Sequence, residues 1–178
     1  MKPRIKGFTL WFTGLPSSGK TTLSDALAQE LRQRGHEVQC LDGDFVRKEL
    51  SRDLGFSPED RKKNIERVAA KAAEFNQSGA VAIVSLISPY RSARDSARRG
   101  IERFIEVFVD CPLEVCEKRD VKGMYRLARE GRLKDFTGVS APYEPPVVPE
   151  IALRTDKLSV KECTQRVLDL LEKKGWLG

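Results

Sequence analysis

Apolar residues fall into two patterns along the chain. Short, nearly unbroken runs stand at Phe8–Thr13, Val38–Leu41, Val81–Ile87, Phe104–Val109 and Ile151–Leu153. Such runs read as strands, and the almost wholly apolar Val81–Ile87 reads as a central parallel strand covered on both faces. Between the runs, apolar residues return every three or four positions: Leu23, Leu27, Leu31; then Ile65, Val68, Ala69, Ala72, Phe75; then Val160, Cys163, Val167, Leu170, Leu171. That spacing gives one buried helical face.

Polar punctuation sets the helix limits. Ser57 stands as an N-cap before Pro58, with Glu59 and Asp60 near the positive end of the dipole, and Gly79 closes that helix. Ser159 and Glu162 have capping-box spacing. Shorter helices are expected over Phe45–Leu50 and Leu113–Arg119, and a polar one ends near Gly100. From Asp120 to Glu150 the pattern changes: Lys122, Arg126, Arg129, Arg132 and Lys134 lie among glycines, and prolines cluster at Pro142, Pro145, Pro146 and Pro149. With little core periodicity, this stretch reads as a basic lid over phosphates, or as a plain solvated excursion. Strands alternating with helices predict a three-layer α/β fold on a mostly parallel five-stranded sheet. The whole chain, 1–178, reads as a single domain with its lid at about 120–150.

The chemistry concentrates where the first strand meets the first helix. Gly14-Leu15-Pro16-Ser17-Ser18-Gly19-Lys20-Thr21-Thr22 matches G-x-x-x-x-G-K-T in its required strand–loop–helix setting, which defines a P-loop. The glycines allow a tight turn whose N–H groups face phosphate oxygens, and the helix adds its dipole. Lys20 is expected to reach the β- and γ-phosphates, and the Thr21 hydroxyl to ligate Mg²⁺ as cofactor. Pro16 lacks an N–H and so removes one possible phosphate donor. The second strand ends in Asp42-Gly43-Asp44, and the third in Ile87-Ser88-Pro89-Tyr90. The carboxyl edge of a parallel sheet is where ligands bind, so these residues are expected to face the P-loop.

Charge narrows the partner class. The net charge of +6 fits an anionic ligand, but no aromatic-interleaved basic stretch or nucleic-acid module is present. A pocket for small phosphorylated or sulfated molecules is the better use of that charge. Cys40, Cys111, Cys116 and Cys163 form no C-x-x-C pair, and His36 is the single histidine, which argues against zinc. The cysteines read as reduced residues of a cytoplasmic protein. The apolar runs are too short to span a membrane, and no signal peptide is expected.

Several separated stretches resemble the adenylylsulfate kinase family: W-F-T-G-L-P-S-S-G-K-T-T, L-D-G-D-F-V-R, G-F-S-P-E-D-R-K-K-N-I, I-S-P-Y-R, F-V-D-C-P-L-E-V-C-E-K-R-D-V-K-G-M-Y and F-T-G-V-S-A-P-Y-E-P-P. They span almost all of the chain after Gly7. The resemblance implies a P-loop kinase that uses ATP to phosphorylate the 3′-hydroxyl of adenosine 5′-phosphosulfate, giving 3′-phosphoadenosine 5′-phosphosulfate, and a homodimer. It carries Arg47, Arg61, Asn64 and Ile87 as substrate contacts, with guanidinium forks suited to phosphosulfate oxygens. Phe56 and Phe136 match the pair that sandwiches the substrate adenine, and Lys134 belongs to the same lid motif. Arg119 matches a residue packed on the adenine of ATP.

Asp44 is the candidate to orient or deprotonate the attacking hydroxyl. Asp42 is expected to act through the Mg²⁺ water shell or, alternatively, to cap the following helix. Ser88 reads as a substrate-binding residue in direct in-line transfer; the alternative is a phosphoserine intermediate, although no histidine base lies nearby. Lys63 and Glu66 depart from the family form E-N-I-R-R, and Arg67 is then the remaining source of its second arginine. Two other readings stay open: a kinase for a sugar acid or shikimate-like alcohol, and a nucleotide-binding module without catalysis.

Overall fold

The structure, a computed structural model, describes residues 6–177. Five strands, β1 (Thr9–Thr13), β2 (Val38–Asp42), β3 (Val81–Ser85), β4 (Phe104–Asp110) and β5 (Ile151–Arg154), join in the order β2-β3-β1-β4-β5. Every pairing is parallel, so the sheet is fully rather than mostly parallel. Strand order reverses beside β1, and the crevice at such a switch point is the ligand site of an open α/β sheet. The register puts Asp42 opposite Ser85 and Phe12 opposite Ser85, which brings three strand ends level.

Helices cover both faces of this sheet. On one, Leu23, Leu27 and Leu31 of α1 (Lys20–Gln33) and Val167, Leu168 and Leu171 of α7 (Val160–Lys173) pack on Leu10, Phe12, Ile83 and Val107. On the other, Val68 and Ala72 of α3 (Pro58–Gln77) and Ala93 and Ala97 of α4 (Arg91–Gly100) pack on Trp11, Ala82 and Val84. Strand side chains alternate between the two clusters, as the period of two requires. The capping signals act as read: the Ser57 hydroxyl accepts from the Asp60 N–H at 3.1 Å, and Ser159 and Glu162 cap reciprocally.

Three elements differ from the sequence expectation. β3 ends at Ser85 rather than Ile87, because the chain then turns: the Thr13 hydroxyl donates to the Ile87 carbonyl at 2.6 Å, and Ser88 takes a left-handed φ of 48°. The short second helix begins earlier, as α2 (Gly43–Phe45), and continues as a π-helical turn over Val46–Leu50. The basic segment has a core of its own. After α5 (Leu113–Arg119) it forms α6 (Met124–Arg129), and Tyr125, Ala128 and Phe136 pack on Cys111 and Cys116. These apolar residues are too widely spaced to register as one periodic face.

Candidate active site

Around the P-loop, an open cleft of about 840 Å³ lies along the carboxyl edge of the sheet. Its floor is the loop between β1 and α1. A side chain at Gly14 would bring its Cβ within 2.7 Å of the Val109 carbonyl, and Gly19 has φ of 102°, so both positions need glycine. Three groups from later in the chain hold the loop from outside. The Tyr125 hydroxyl donates to the Pro16 carbonyl at 2.9 Å, the Thr155 hydroxyl donates to the Ser18 carbonyl at 2.6 Å, and Arg119 donates to the Ser17 and Ser18 carbonyls at 3.4 and 3.3 Å. The Ser18 N–H closes the turn on the Leu15 carbonyl at 3.2 Å, and the engaged carbonyls fix the loop's shape for a ligand to meet its other N–H groups.

Lys20 is almost fully buried, and its ammonium donates to the Gly14 and Leu15 carbonyls at 2.9 and 2.7 Å. Burial depresses its pKa from 10.5 to about 7. A lysine held this way keeps a cation beside the loop at low cost only when an anion arrives. Thr21 stands exposed in the first turn of α1 on the cleft wall.

The opposite wall comes from the ends of β2 and β3. Asp42 caps α2, its Oδ1 accepting from the Phe45 N–H at 2.8 Å, while the residue also lines the cleft. Asp44 is exposed in the first turn of α2 and lines the cleft as well. The Ser88 hydroxyl is buried and accepts from the Trp11 indole at 3.0 Å. The Ser85 hydroxyl, beside Asp42, is buried with no hydrogen-bond partner among the described residues.

Most residues expected at the site converge on this cleft: Pro16, Ser17, Gly19, Lys20, Thr21, Thr22 and Arg119 on the nucleotide side, and Asp42, Asp44, Arg47, Arg61, Ile87, Ser88 and Phe136 on the other. Gly14, Leu15 and Ser18 form the loop behind its surface. Of the cleft residues, Phe136 is buried, edge-to-face on Tyr125 at 5.0 Å between centroids. The remainder sit apart. Phe56 is 55 % exposed outside the cleft lining, with the Arg47 guanidinium 4.0 Å from its ring centre, so the two phenylalanines do not face each other here. Lys134 is exposed and away from the cleft lining. The Asn64 Oδ1 is buried without a partner among the described residues. Arg67 is committed elsewhere, donating to both Asp53 carboxylate oxygens at 2.6 and 2.8 Å, and Glu66 is exposed.

Arg61 acts as a fastener. It donates to the Phe56 carbonyl at 3.0 Å, the Thr137 hydroxyl at 3.0 Å and the Asp135 carbonyl at 2.5 Å, tying α3 to the basic segment. Sequence reasoning assigns no role to Tyr125 or Thr155. Tyr125 closes one of the family-like stretches inside the segment read as lid, Thr155 stands just past a short strand, and neither belongs to the P-loop string. Among the described residues no cluster of three or more His, Cys, Asp or Glu is placed to hold a metal, and no helix is long and apolar enough to cross a membrane.

A parallel sheet with the P-loop at its switch point, a buried lysine in that loop and carboxylates across the cleft define a P-loop kinase. Comparison with known proteins carries this further. The family model for adenylylsulphate kinase matches residues 6–154. The adenylyl-sulfate kinase of Halothermothrix orenii is 52% identical over 173 residues, covering 97% of this chain and 94% of that protein. That of Synechococcus sp. strain JA-2-3B'a(2-13) is 52% identical over 172 residues, covering 97% and 98%. Among solved structures, the Mycobacterium tuberculosis APS kinase in complex with AMPPNP and APS superposes with a TM-score of 0.90 at 41% identity, covering 94% of this chain and 98% of that one. The chain belongs to the adenylylsulphate kinase family. Shikimate kinase from Aquifex aeolicus, at 16% identity and a TM-score of 0.56, shares the fold alone.

Proposed function

We infer that the protein transfers the γ-phosphoryl group of ATP to the 3′-hydroxyl of adenosine 5′-phosphosulfate, releasing ADP and 3′-phosphoadenosine 5′-phosphosulfate. The observation that carries this reading is the cleft itself: a P-loop with buried Lys20 on one wall, and Asp44, Arg47, Arg61 and Ser88 on the other. The 41%-identical Mycobacterium enzyme, solved with a nucleotide and APS together, supports the same pair of substrates.

The loop N–H groups and Lys20 bind the phosphates, and Lys20 neutralises charge on the group in flight. Asp44 orients the attacking 3′-hydroxyl and takes its proton as the new P–O bond forms, while ADP leaves with the electrons of the broken P–O bond. Arg47 and Arg61 hold the phosphosulfate oxygens as planar forks. For Arg47 this requires leaving its place over Phe56, which frees that ring for adenine; Phe136 closes on the base when the lid moves ahead of Tyr143, the stretch from Tyr143 to Glu150 staying on the sheet. Arg119, beside the loop, packs on the adenine of ATP. Lys134 reaches substrate by the same lid movement, and Asn64 supplies its unpartnered oxygen. Ser88, already accepting a hydrogen bond from Trp11, binds substrate and does not form a phosphoenzyme.

The donor set suits Mg²⁺. Thr21 offers a hydroxyl, Asp42 keeps one oxygen free of its capping bond, and Ser85 adds an orphaned hydroxyl next to it. Hard oxygens of this kind, completed by phosphates and water, are what Mg²⁺ takes. When bound, the ion screens the β- and γ-phosphates.

The chain works as one kinase unit in the cytoplasm, as a homodimer. Four free cysteines fit a reducing compartment, and burial pushes the Cys116 thiol up to about 12, far from reactivity. The exposed side chains of Val121, Val147 and Val148 offer apolar surface for self-association. A hexameric APS kinase from Thiobacillus denitrificans, of whose chain this one covers 31%, gives another assembly to distinguish by light scattering. A coupled ADP-release assay with adenosine 5′-phosphosulfate, AMP, gluconate and shikimate tests the acceptor. Turnover confined to the sulfated nucleotide is expected; turnover with gluconate or shikimate alone contradicts the reading.

A further inference from the structure

The polar helix α4 contains the most deeply buried cation among the described residues. Arg94 is 1% exposed, and its three donor directions go to three different parts of the chain. The Nε donates to Glu106 Oε2 on β4 at 3.0 Å, one Nη to the Ser88 carbonyl at 2.6 Å, and the other Nη to the Glu144 carbonyl at 2.7 Å. None of these hydrogen bonds goes to the P-loop.

What Arg94 joins is the acceptor side of the cleft. Ser88 has φ of 48°, a conformation a serine holds only when its surroundings impose it. Its two oxygens are both taken, the hydroxyl by Trp11 and the carbonyl by Arg94. The segment on the far side of Arg94 crosses over the same turn. The Glu144 N–H donates to the Pro89 carbonyl at 2.8 Å, and the Tyr143 hydroxyl meets the Thr13 hydroxyl at 2.9 Å. A second pair stiffens the arrangement from below: Arg98 binds Glu150, and a Glu150 oxygen accepts from the Glu106 N–H at 2.6 Å. A carboxylate charge inside the sheet layer is costly unless matched, so Glu106 fixes where the guanidinium must lie. The planar fork then fixes both carbonyls at once, which a point charge on a flexible stem does not do.

We propose that Arg94 is a positioning residue for the acceptor: it holds Ser88 in its left-handed conformation and locks the 143–150 segment to that turn, so that both act as one wall of the sulfated-nucleotide pocket. It works through Ser88, never touching the nucleotide phosphates on Lys20. The proposal rests on the acceptor reading above, but one arm of its test does not.

Hydrogen exchange reads the wall without substrate. In Arg94→Lys, peptides covering 85–91 and 143–150 should exchange faster together, by tenfold or more, while those covering Gly14–Thr22 stay as in the parent. Faster exchange in one of the two stretches alone overturns the coupling. Steady-state kinetics reads the consequence: the KM for adenosine 5′-phosphosulfate should rise about 10- to 100-fold, the size of one lost charge-assisted hydrogen bond, with the KM for ATP within threefold. Equal rises for the two substrates mark a general loss of structure and overturn the assignment. If the parent enzyme itself ignores the sulfated nucleotide, the acceptor reading fails while the exchange arm still decides the coupling. Should Arg94→Lys not fold, Glu106→Gln serves: with the carboxylate that places the guanidinium neutralised, exchange in both stretches and the acceptor KM should rise together, by a smaller factor than in Arg94→Lys, with the KM for ATP within threefold. Parent-like exchange and acceptor KM in that variant, or a rise confined to one of the two stretches, overturns the proposal.

Discussion

Lys20 shows how one side chain can link binding to pH. Its ammonium rests on two carbonyls with burial holding its pKa near 7, against 10.5 for a free lysine. The unfolded chain therefore binds more protons between those values, and stability of the unliganded protein rises with pH from about 7 to 10.5. Arriving phosphates reverse the shift, because an adjacent anion favours the charged form. ATP binding at about pH 8 is thus expected to take up close to one proton, a value set by the folded pKa of about 7. Titration calorimetry in buffers of different ionisation enthalpy measures it; zero uptake, or uptake that survives in Lys20→Met, contradicts this account.

The two phenylalanines separate in the same way. Phe56 is 55% exposed, whereas Phe136 is 7% exposed and packed on Tyr125. Phe56→Ala should leave stability within about 0.5 kcal/mol and raise the KM for the sulfated nucleotide roughly 5- to 100-fold, the worth of one base–aromatic stack. Phe136→Ala should raise the same KM and also cost about 3 kcal/mol of stability, as for other buried aromatics. Kinetics with each substrate varied, alongside thermal melts, checks both. A Phe56→Ala protein whose KM for ATP rises as much as that for the acceptor would break the assignment.

At the scale of elements, Arg61 joins what the sequence leaves far apart. It holds the start of α3 to residues 135 and 137 through three hydrogen bonds. Arg61→Ala is expected to speed exchange across the 133–141 stretch tenfold or more, its three partly exposed charged hydrogen bonds contributing together about 1.5–3 kcal/mol to local closure. Unchanged exchange there would show that the small cluster around Phe136 holds the segment by itself. The contrast between α3 and this segment explains what was legible in the sequence. Ser57, Pro58 and the repeat of Ile65, Val68, Ala69 and Ala72 are local signals, and the structure has each in its expected place. The five runs gave five strands for the same reason: burial on both faces leaves a continuous apolar trace. The P-loop was readable because the nine residues that make it are adjacent in sequence. The interactions that steady it were not, because Tyr125 and Thr155 act across 109 and 137 residues through hydrogen bonds to backbone carbonyls. A carbonyl acceptor has no sequence identity. The core of the 120–150 segment was missed because its apolar residues belong to a helix of one and a half turns and a loop, with no shared period.

At the scale of the molecule, the P-loop follows β1 and the Asp42–Asp44 turn follows β2, so both reach one cleft at the carboxyl edge of the sheet. Lys20, Arg119, Arg47 and Arg61 all line that cleft, and the proposed reaction assigns the first two to the nucleotide and the last two to the acceptor. The central claim is transfer to one particular oxygen, and product analysis addresses it directly. Incubation with ATP, Mg²⁺ and adenosine 5′-phosphosulfate, followed by chromatography, mass spectrometry and phosphorus NMR, should give one ADP per molecule of 3′-phosphoadenosine 5′-phosphosulfate, and Lys20→Ala should lose this product by orders of magnitude with its fold intact. Phosphate at any other position, ADP formed without phosphorylated acceptor, or full turnover in Lys20→Ala would contradict it.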